Sequence, residues 1–175
     1  MPRFFRHPLP ILLLVLTLLP ALTACSPKYN WREVRSKDGG FVVLLPDKPA
    51  SMSRPVNLNG QTVTMTMTAT EVDGVSFAVG YAQLPDEKLT AAALDAMKVA
   101  LVNNIHGKLK SEQAPQPNSI DIEAVGSRGP GGEPLLLLGH FVARDKRIYQ
   151  AIVVGNEKEV VREQVTIFLS SFALN

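Results

Sequence analysis

Cysteine is nearly absent: Cys25 is the only one in 175 residues. A single thiol excludes an internal disulfide and any zinc site built from several cysteines. Acidic residues are missing from the start of the chain. No Asp or Glu precedes Glu33, while Arg3 and Arg6 stand near the beginning. Taking those two arginines from the 18 basic residues leaves as many as the 16 acidic ones, so the remainder is neutral. A neutral remainder lacks the basic surface on which nucleic-acid affinity rests, so no nucleic acid is expected as a partner. Histidine is scarce too. Beyond His7 there are only His106 and His140, with no His-Glu-x-x-His and no pair at metal-binding helix spacing. No apolar run reaches the about 20 residues of a membrane-spanning helix. The strongest, Leu9 to Leu19, is interrupted by Pro10 and Thr17 and is followed by Pro20.

What is present at the N-terminus is an address. A short basic start, an apolar stretch and small residues before a cut site make a secretory signal peptide over residues 1–24. No two arginines are adjacent in it, which points to export of the unfolded chain rather than the twin-arginine route.

The cut site, Leu22-Thr23-Ala24-Cys25, resembles the lipobox of bacterial lipoproteins. The resemblance implies cleavage between Ala24 and Cys25, with a diacylglyceryl group on the Cys25 thiol and further acylation, such as palmitate, on the new amine. The competing reading is an incidental cysteine behind an ordinary signal peptide. One acyl chain anchors only reversibly, at about 0.8 kcal/mol per buried methylene, whereas two or three hold a domain at the membrane. Ser26 follows the cysteine; in this family such a residue favours the outer membrane over the inner, facing the periplasm. Residues 25–28 form the lipidated N-terminus and a short tether. The reach from Ser26 to Lys28 is about 10–14 Å, less than the about 15 Å radius of gyration of a domain this size, so one side of the domain stays near the headgroups.

Residues 29–175 read as one α+β domain. Asn30 to Arg35 and Phe41 to Leu45 flank Gly39-Gly40 as a hairpin, and Pro46 and Pro49 stop the second strand. Arg54 to Leu58 and Gln61 to Glu71 flank Asn59-Gly60. In the second run Val63, Met65, Met67 and Ala69 face one way, and a threonine row, Thr62 to Thr70, faces solvent or a docked strand. Asp73-Gly74 leads into Val75 to Ala82, completing an antiparallel meander. Thr90 is the expected N-cap of a helix with a Leu94, Met97, Leu101, Ile105 stripe, and Gly107 its C-cap. Lys108 to Glu112 and Ile120 to Ala124 are further strands. Leu135 to Val142 and Arg147 to Val154 are apolar on consecutive residues, which places them centrally with both faces covered. Asn156 with Glu159 looks like a capping box opening the last helix, whose stripe is Val161, Val165, Phe168 and Phe172.

This order resembles the Mog1/PsbP-like α/β/α sandwich, with a mostly antiparallel sheet and two main helices. The phrases that carry the likeness are Asp38-Gly39-Gly40-Phe41-Val42-Val43-Leu44-Leu45-Pro46, Arg147-Ile148-Tyr149-Gln150-Ala151-Ile152-Val153-Val154-Gly155 and Phe168-Leu169-Ser170-Ser171-Phe172. The chain is also similar to DcrB-like envelope lipoproteins, although Ser26 departs from their acidic residue after the cysteine. Members of the fold serve as binding or assembly factors, so the resemblance implies a noncatalytic protein-binding lipoprotein of the cell envelope with no cofactor.

Residues that could carry chemistry are few. Asp121 and Glu123 share a strand face about 7 Å apart and could hold a cation or do acid–base work, though a solvated strand face is the plainer reading. His106 near a helix end and His140 mid-strand read as structural. Ser127 lacks the surroundings of a nucleophile elbow, and Gly129-Pro130-Gly131-Gly132 lacks the Gly-Lys that grips phosphate. Arg144, Lys146 and Arg147 form a basic hairpin tip, either solvated or touching anionic headgroups. The expectation is therefore no catalytic residue and no metal site. The partners are the membrane, through lipid on Cys25, and an envelope protein. The alternative function is a small-ligand-binding periplasmic lipoprotein with a pocket between helix and sheet near Met65, Met67 or Leu101.

Intact-mass analysis of native protein should show a chain beginning at Cys25 with lipid on it. Cys25→Ser should leave the membrane fraction; a bare thiol, or a leader still attached in the native protein, would refute the lipobox reading.

Overall fold

The computed structural model describes residues 27–175. Cys25, Ala24 and the segment read as a signal peptide lie outside the described residues. Over the described residues the chain is α+β, with ten strands in two antiparallel sheets and two α-helices. In chain order these are β1 (Arg32–Ser36), β2 (Phe41–Leu45), β3 (Ala50–Leu58), β4 (Gln61–Val72), β5 (Val75–Gln83), α1 (Thr90–Asn104), β6 (Lys108–Gln113), β7 (Ser119–Ser127), β8 (Pro134–Arg144), β9 (Arg147–Asn156), α2 (Arg162–Ser171) and β10 (Ala173–Leu174). A seven-stranded sheet has the order β3-β4-β5-β9-β8-β7-β6, and a small one has β1-β2-β10.

Local chemistry sets the turns. Asn59 and Gly60 have φ of 50° and 82°, and Asp73 and Gly74 have 49° and 76°. Left-handed backbone at both central residues matches the right-handed twist of the flanking strands, and Asn, Asp and Gly adopt it at least cost. The meander β3-β4-β5 therefore forms as the sequence implies, although β3 begins at Ala50, directly after Pro49.

The two apolar runs become β8 and β9, and β9 is the middle strand of the large sheet. Residues Ile148 to Val153 are buried without a break, so both faces of β9 are covered. One face packs Met65, Phe141, Ile148 and Ile152 beneath Ala93, Leu94 and Met97 of α1. The other packs Phe77, Tyr149 and Val153 beneath Phe41, Val43 and Leu45 of β2 and beneath Val165 and Phe168 of α2. The Phe168 and Phe77 rings meet edge to face at 5.6 Å. The Ser171 hydroxyl accepts from the Leu44 N–H at 2.9 Å and donates to the Phe168 carbonyl at 2.7 Å, joining the end of α2 to the small sheet.

Several expected ends and faces differ. Thr90 is not an N-cap. A 3-10 turn, Glu87–Leu89, precedes the helix and is capped by Asp86, while the Thr90 hydroxyl donates to the Glu87 carbonyl at 2.6 Å. Gly107 is not the left-handed residue at the other end; His106 is, with φ 47°. The His106 N–H bonds the Asn103 carbonyl and the Gly107 N–H bonds the Val102 carbonyl, a Schellman closure with histidine where glycine is usual. Asn156 ends β9 and caps only the turn after it, through Lys158 N–H at 3.0 Å; α2 starts at Arg162. Val160, not Val161, is buried there, and Phe172 follows the helix at half burial. Nor does the threonine row simply face water. Thr68 lies opposite Val79 on the face that the small sheet covers, and it is buried, with its hydroxyl 2.8 Å from that of Ser51.

One glycine fixes where α1 can end. A Cβ at Gly126 would collide with the Ile105 carbonyl oxygen, far inside van der Waals contact. Its absence lets the helix end touch β7, where the Ser127 N–H donates to that carbonyl at 2.7 Å.

Phe168→Ala should lower stability by about 3–5 kcal/mol, because a fully buried aromatic leaves a cavity that rigid strands cannot close. Urea unfolding of the purified variant measures this, and a midpoint equal to that of wild type would contradict the packing.

Candidate functional site

Three places carry the chemistry that the sequence singled out. The first is where the described chain begins. Lys28 Nζ lies 2.7 Å from Asp73 Oδ2 in the β4–β5 turn and 5.7 Å from the centre of the Tyr29 ring. The hydrogen bond to Asp73 raises the Lys28 pKa above its ordinary value. The Asn30 N–H donates to the Pro46 carbonyl at 2.8 Å. Tyr29 stacks on Trp31 at 6.2 Å, and Trp31 meets Phe77 edge-on at 6.2 Å. Residues 28–31 are thus fastened to one end of the sheet, Lys28 among them although it belongs to the expected tether.

That end is defined by the strand registers. Ser76 pairs with Val154 and Gln83 with Arg147, so the Asp73-Gly74 turn and Asn156 lie together at one pole and the Arg144–Arg147 tip at the other. Ten residues of β9 separate the poles, about 30 Å at 3.3 Å per residue. The basic tip is therefore remote from the segment that follows Cys25. The near pole is mixed in charge: Lys28, Lys48, Arg128 and Lys158 stand among Asp47, Asp73, Glu133, Glu157 and Glu159.

The second place is the open face of β6, β7 and β8 beside α2, a trough of about 420 Å³. Asp121 and Glu123 both lie on it, but each has its own partner. Asp121 Oδ1 is 2.5 Å from His140 Nδ1, and the His140 ring meets Phe172 at 6.1 Å. Glu123 accepts two bonds from the Arg162 guanidinium at 2.8 and 2.9 Å, and Lys110 Nζ is 3.1 Å away. Lys110 reaches it from a bulge in β6 between Leu109 and Ser111. The Arg162 bonds, helped by Lys110 and opposed by partial burial, lower the Glu123 pKa from 4.5 to about 2. A general acid needs the opposite shift. The two carboxylates are thus engaged by separate partners. Among the described residues no group of three His, Cys, Asp or Glu side chains is placed to hold a metal ion.

The third is the tip itself. Arg144 sits directly opposite Arg147 across the hairpin. With Lys146 they border a cleft of about 400 Å³ that also holds Gln83, Tyr149 and Gly40.

The remaining candidates are structural in their contacts. Ser127 Oγ donates to the Gly129 carbonyl at 2.8 Å, and His106 is an exposed helix terminator. Of the residues named for a pocket between helix and sheet, Met65 is buried in the layer under α1, and Met67 and Leu101 are partly buried against it. Sequence reasoning missed Lys98, which is buried on α1 yet reaches Asp95 at 2.8 Å and Glu112 at 3.0 Å. Burial disfavours its charge, but the two carboxylates outweigh that and hold its pKa above the ordinary value. A lysine next to Met97 on an apolar stripe, with an aspartate three residues before it, was the available signal.

Comparison with protein-family models and with curated proteins gives no match for this chain. Among the described residues no helix is long and apolar enough to cross a membrane.

A carboxylate whose pKa is lowered by folding contributes stability above its unfolded pKa and loses it as pH falls through the folded value. Glu123 should therefore contribute fully at neutral pH and progressively less from pH 4.5 down to about 2. Thermal melts across that interval should show a shallower acid loss for Glu123→Gln than for wild type; parallel curves would contradict the pairing.

Proposed function

We propose that this chain is a noncatalytic lipoprotein of the cell envelope. It is anchored through lipid on Cys25 and presents a Mog1/PsbP-like, DcrB-like domain to a protein partner in the periplasm, at the outer membrane in preference to the inner. The observation that carries the reading is the fastening of residues 28–31 to one pole of the sheet. Only Ser26 and Pro27 separate Cys25 from Lys28, a reach of about 11 Å. A lipid on Cys25 holds that pole at the headgroups and turns the rest of the surface to the compartment. The single helix on one sheet face, with a second helix and a small sheet on the other, is compatible with the proposed family. Glu123 is paired with the Arg162 guanidinium, and Asp121 is hydrogen-bonded to the His140 ring, an arrangement that suits a binding surface better than acid–base chemistry.

Photo-crosslinkers placed in intact cells at Lys37, at the far pole, and at Glu157, at the near pole, test this. Lys37 should capture one dominant protein and Glu157 should capture lipid. A stoichiometric small molecule extracted from the purified protein, with no protein adduct at either site, would overturn the reading in favour of ligand binding.

A further inference from the structure

Arg144 and Arg147 stand directly opposite each other, with Lys146 in the two-residue turn between them. Like charges facing directly across an antiparallel pair destabilise it. Neutralisation from within the chain would remove that cost, yet no carboxylate of the described residues lies within 4.0 Å of any of the three cations. Asp145 is in the same turn, held left-handed at φ 54°, and the chain ends nearby at Asn175; neither makes an ion pair with the cations.

Arg147 is also placed, not merely present. It is half-buried. Gly40 has φ 66°, and a Cβ there would come within 3.1 Å of Arg147 Nη1, so the bare backbone gives the guanidinium room to lie against it. Gly40 is itself fixed, because its carbonyl accepts from the Asn175 N–H at 3.0 Å. The Tyr149 and Gln83 side chains add polar groups to the same cleft. A partly desolvated guanidinium without a carboxylate has unused donors in a planar fork, the geometry that a carboxylate matches with two parallel bonds.

We propose that this cleft is a docking site for carboxylate side chains, and that its occupant is an acidic segment of the partner protein. The cleft lies at the pole opposite residues 28–31, about 30 Å away along β9. Headgroups of the bilayer that anchors Cys25 are out of its reach, and a protein projecting from the compartment is not. The identity of the occupant as a protein rests on the function proposed above; the chemistry of the cleft does not.

The test uses the full chain in detergent micelles and a labelled octaglutamate peptide. Fluorescence anisotropy at low salt should show binding to wild type. Arg144→Glu with Arg147→Glu should weaken it at least tenfold, whereas Lys158→Glu, at the other pole, should leave it unchanged. Peptide should raise the melting temperature of wild type and not that of the double variant. Should the double variant fail to fold, Arg144→Gln and Arg147→Gln taken singly should each weaken binding. No binding to wild type, or equal binding by the arginine variants, would overturn the site. Binding of inorganic phosphate or of phosphatidylglycerol vesicles through these arginines, with the peptide inert, would overturn the acidic-protein occupant. An unmodified Cys25 would leave the binding result unchanged, so the two proposals fail separately.

Discussion

A seven-stranded sheet that is apolar on both faces must be covered on both, and that requirement organises the molecule. On β9, Ile148 and Ile152 point to one side and Tyr149, Ala151 and Val153 to the other. Each apolar face contributes about 25 cal/mol per Å² once removed from water, and leaving either wet would cost more than the domain's net stability. One side is closed by α1. The other is closed by segments from the two ends of the described chain: the β1–β2 hairpin, α2 and β10. Covering the second face therefore also fixes the ends. Residues 28–31 are held with the hairpin, and Asn175 is held against Gly40.

Much of this was legible because it rests on short-range rules. Asn59-Gly60 and Asp73-Gly74 specify their turns by the left-handed backbone they tolerate, and the consecutive apolar residues of β8 and β9 announce two-sided burial. What failed was decided by tertiary contacts. Asn156 has the right spacing for a capping box, but β9 needs it as its last rung opposite Leu135, so the helix starts later. Thr90 looks like a cap only if Asp86, just after Pro85, is overlooked. The threonine row alternates as read, yet periodicity cannot say that a second sheet covers Thr68. β10 has two residues and no pattern of its own; β2 supplies the edge that makes it a strand.

The site followed the same division. Asp121, Glu123 and His140 stand out in the linear sequence, and they do share one trough. It could not show that Arg162, 39 positions away, closes on Glu123, or that Lys98 reaches Glu112 across 14. Both ion pairs tie a helix to the β6–β7 side of the sheet. Lys98 joins α1 to β6, and Arg162 joins α2 to β7. Charge that looks chemically available in the linear sequence is spent on holding layers together, and this is why the Glu123 pKa is lowered.

Gln150 departs from that economy of contacts, and it bears on how rigid the sheet is. It is buried on the α1 face of β9, its amide N–H donates to Met67 Sδ at 3.3 Å, and its carbonyl oxygen has no partner. An orphaned buried acceptor costs about 1–3 kcal/mol. The Gln150 side chain fits because Gly80, directly opposite on β5, leaves room that any side chain would fill: a Cβ there would clash with Met67 Sδ and with Gln150 itself. The small–large pairing across β4, β5 and β9 locks their register at mid-strand, since a slip by one residue would put Gln150 against a side chain and send its neighbours to the wrong face. Register locked there fixes the separation of the two ends of β9. The distance between the Lys28 pole and the arginine tip is accordingly a property of the sheet, and the short link to Cys25 adds little to it.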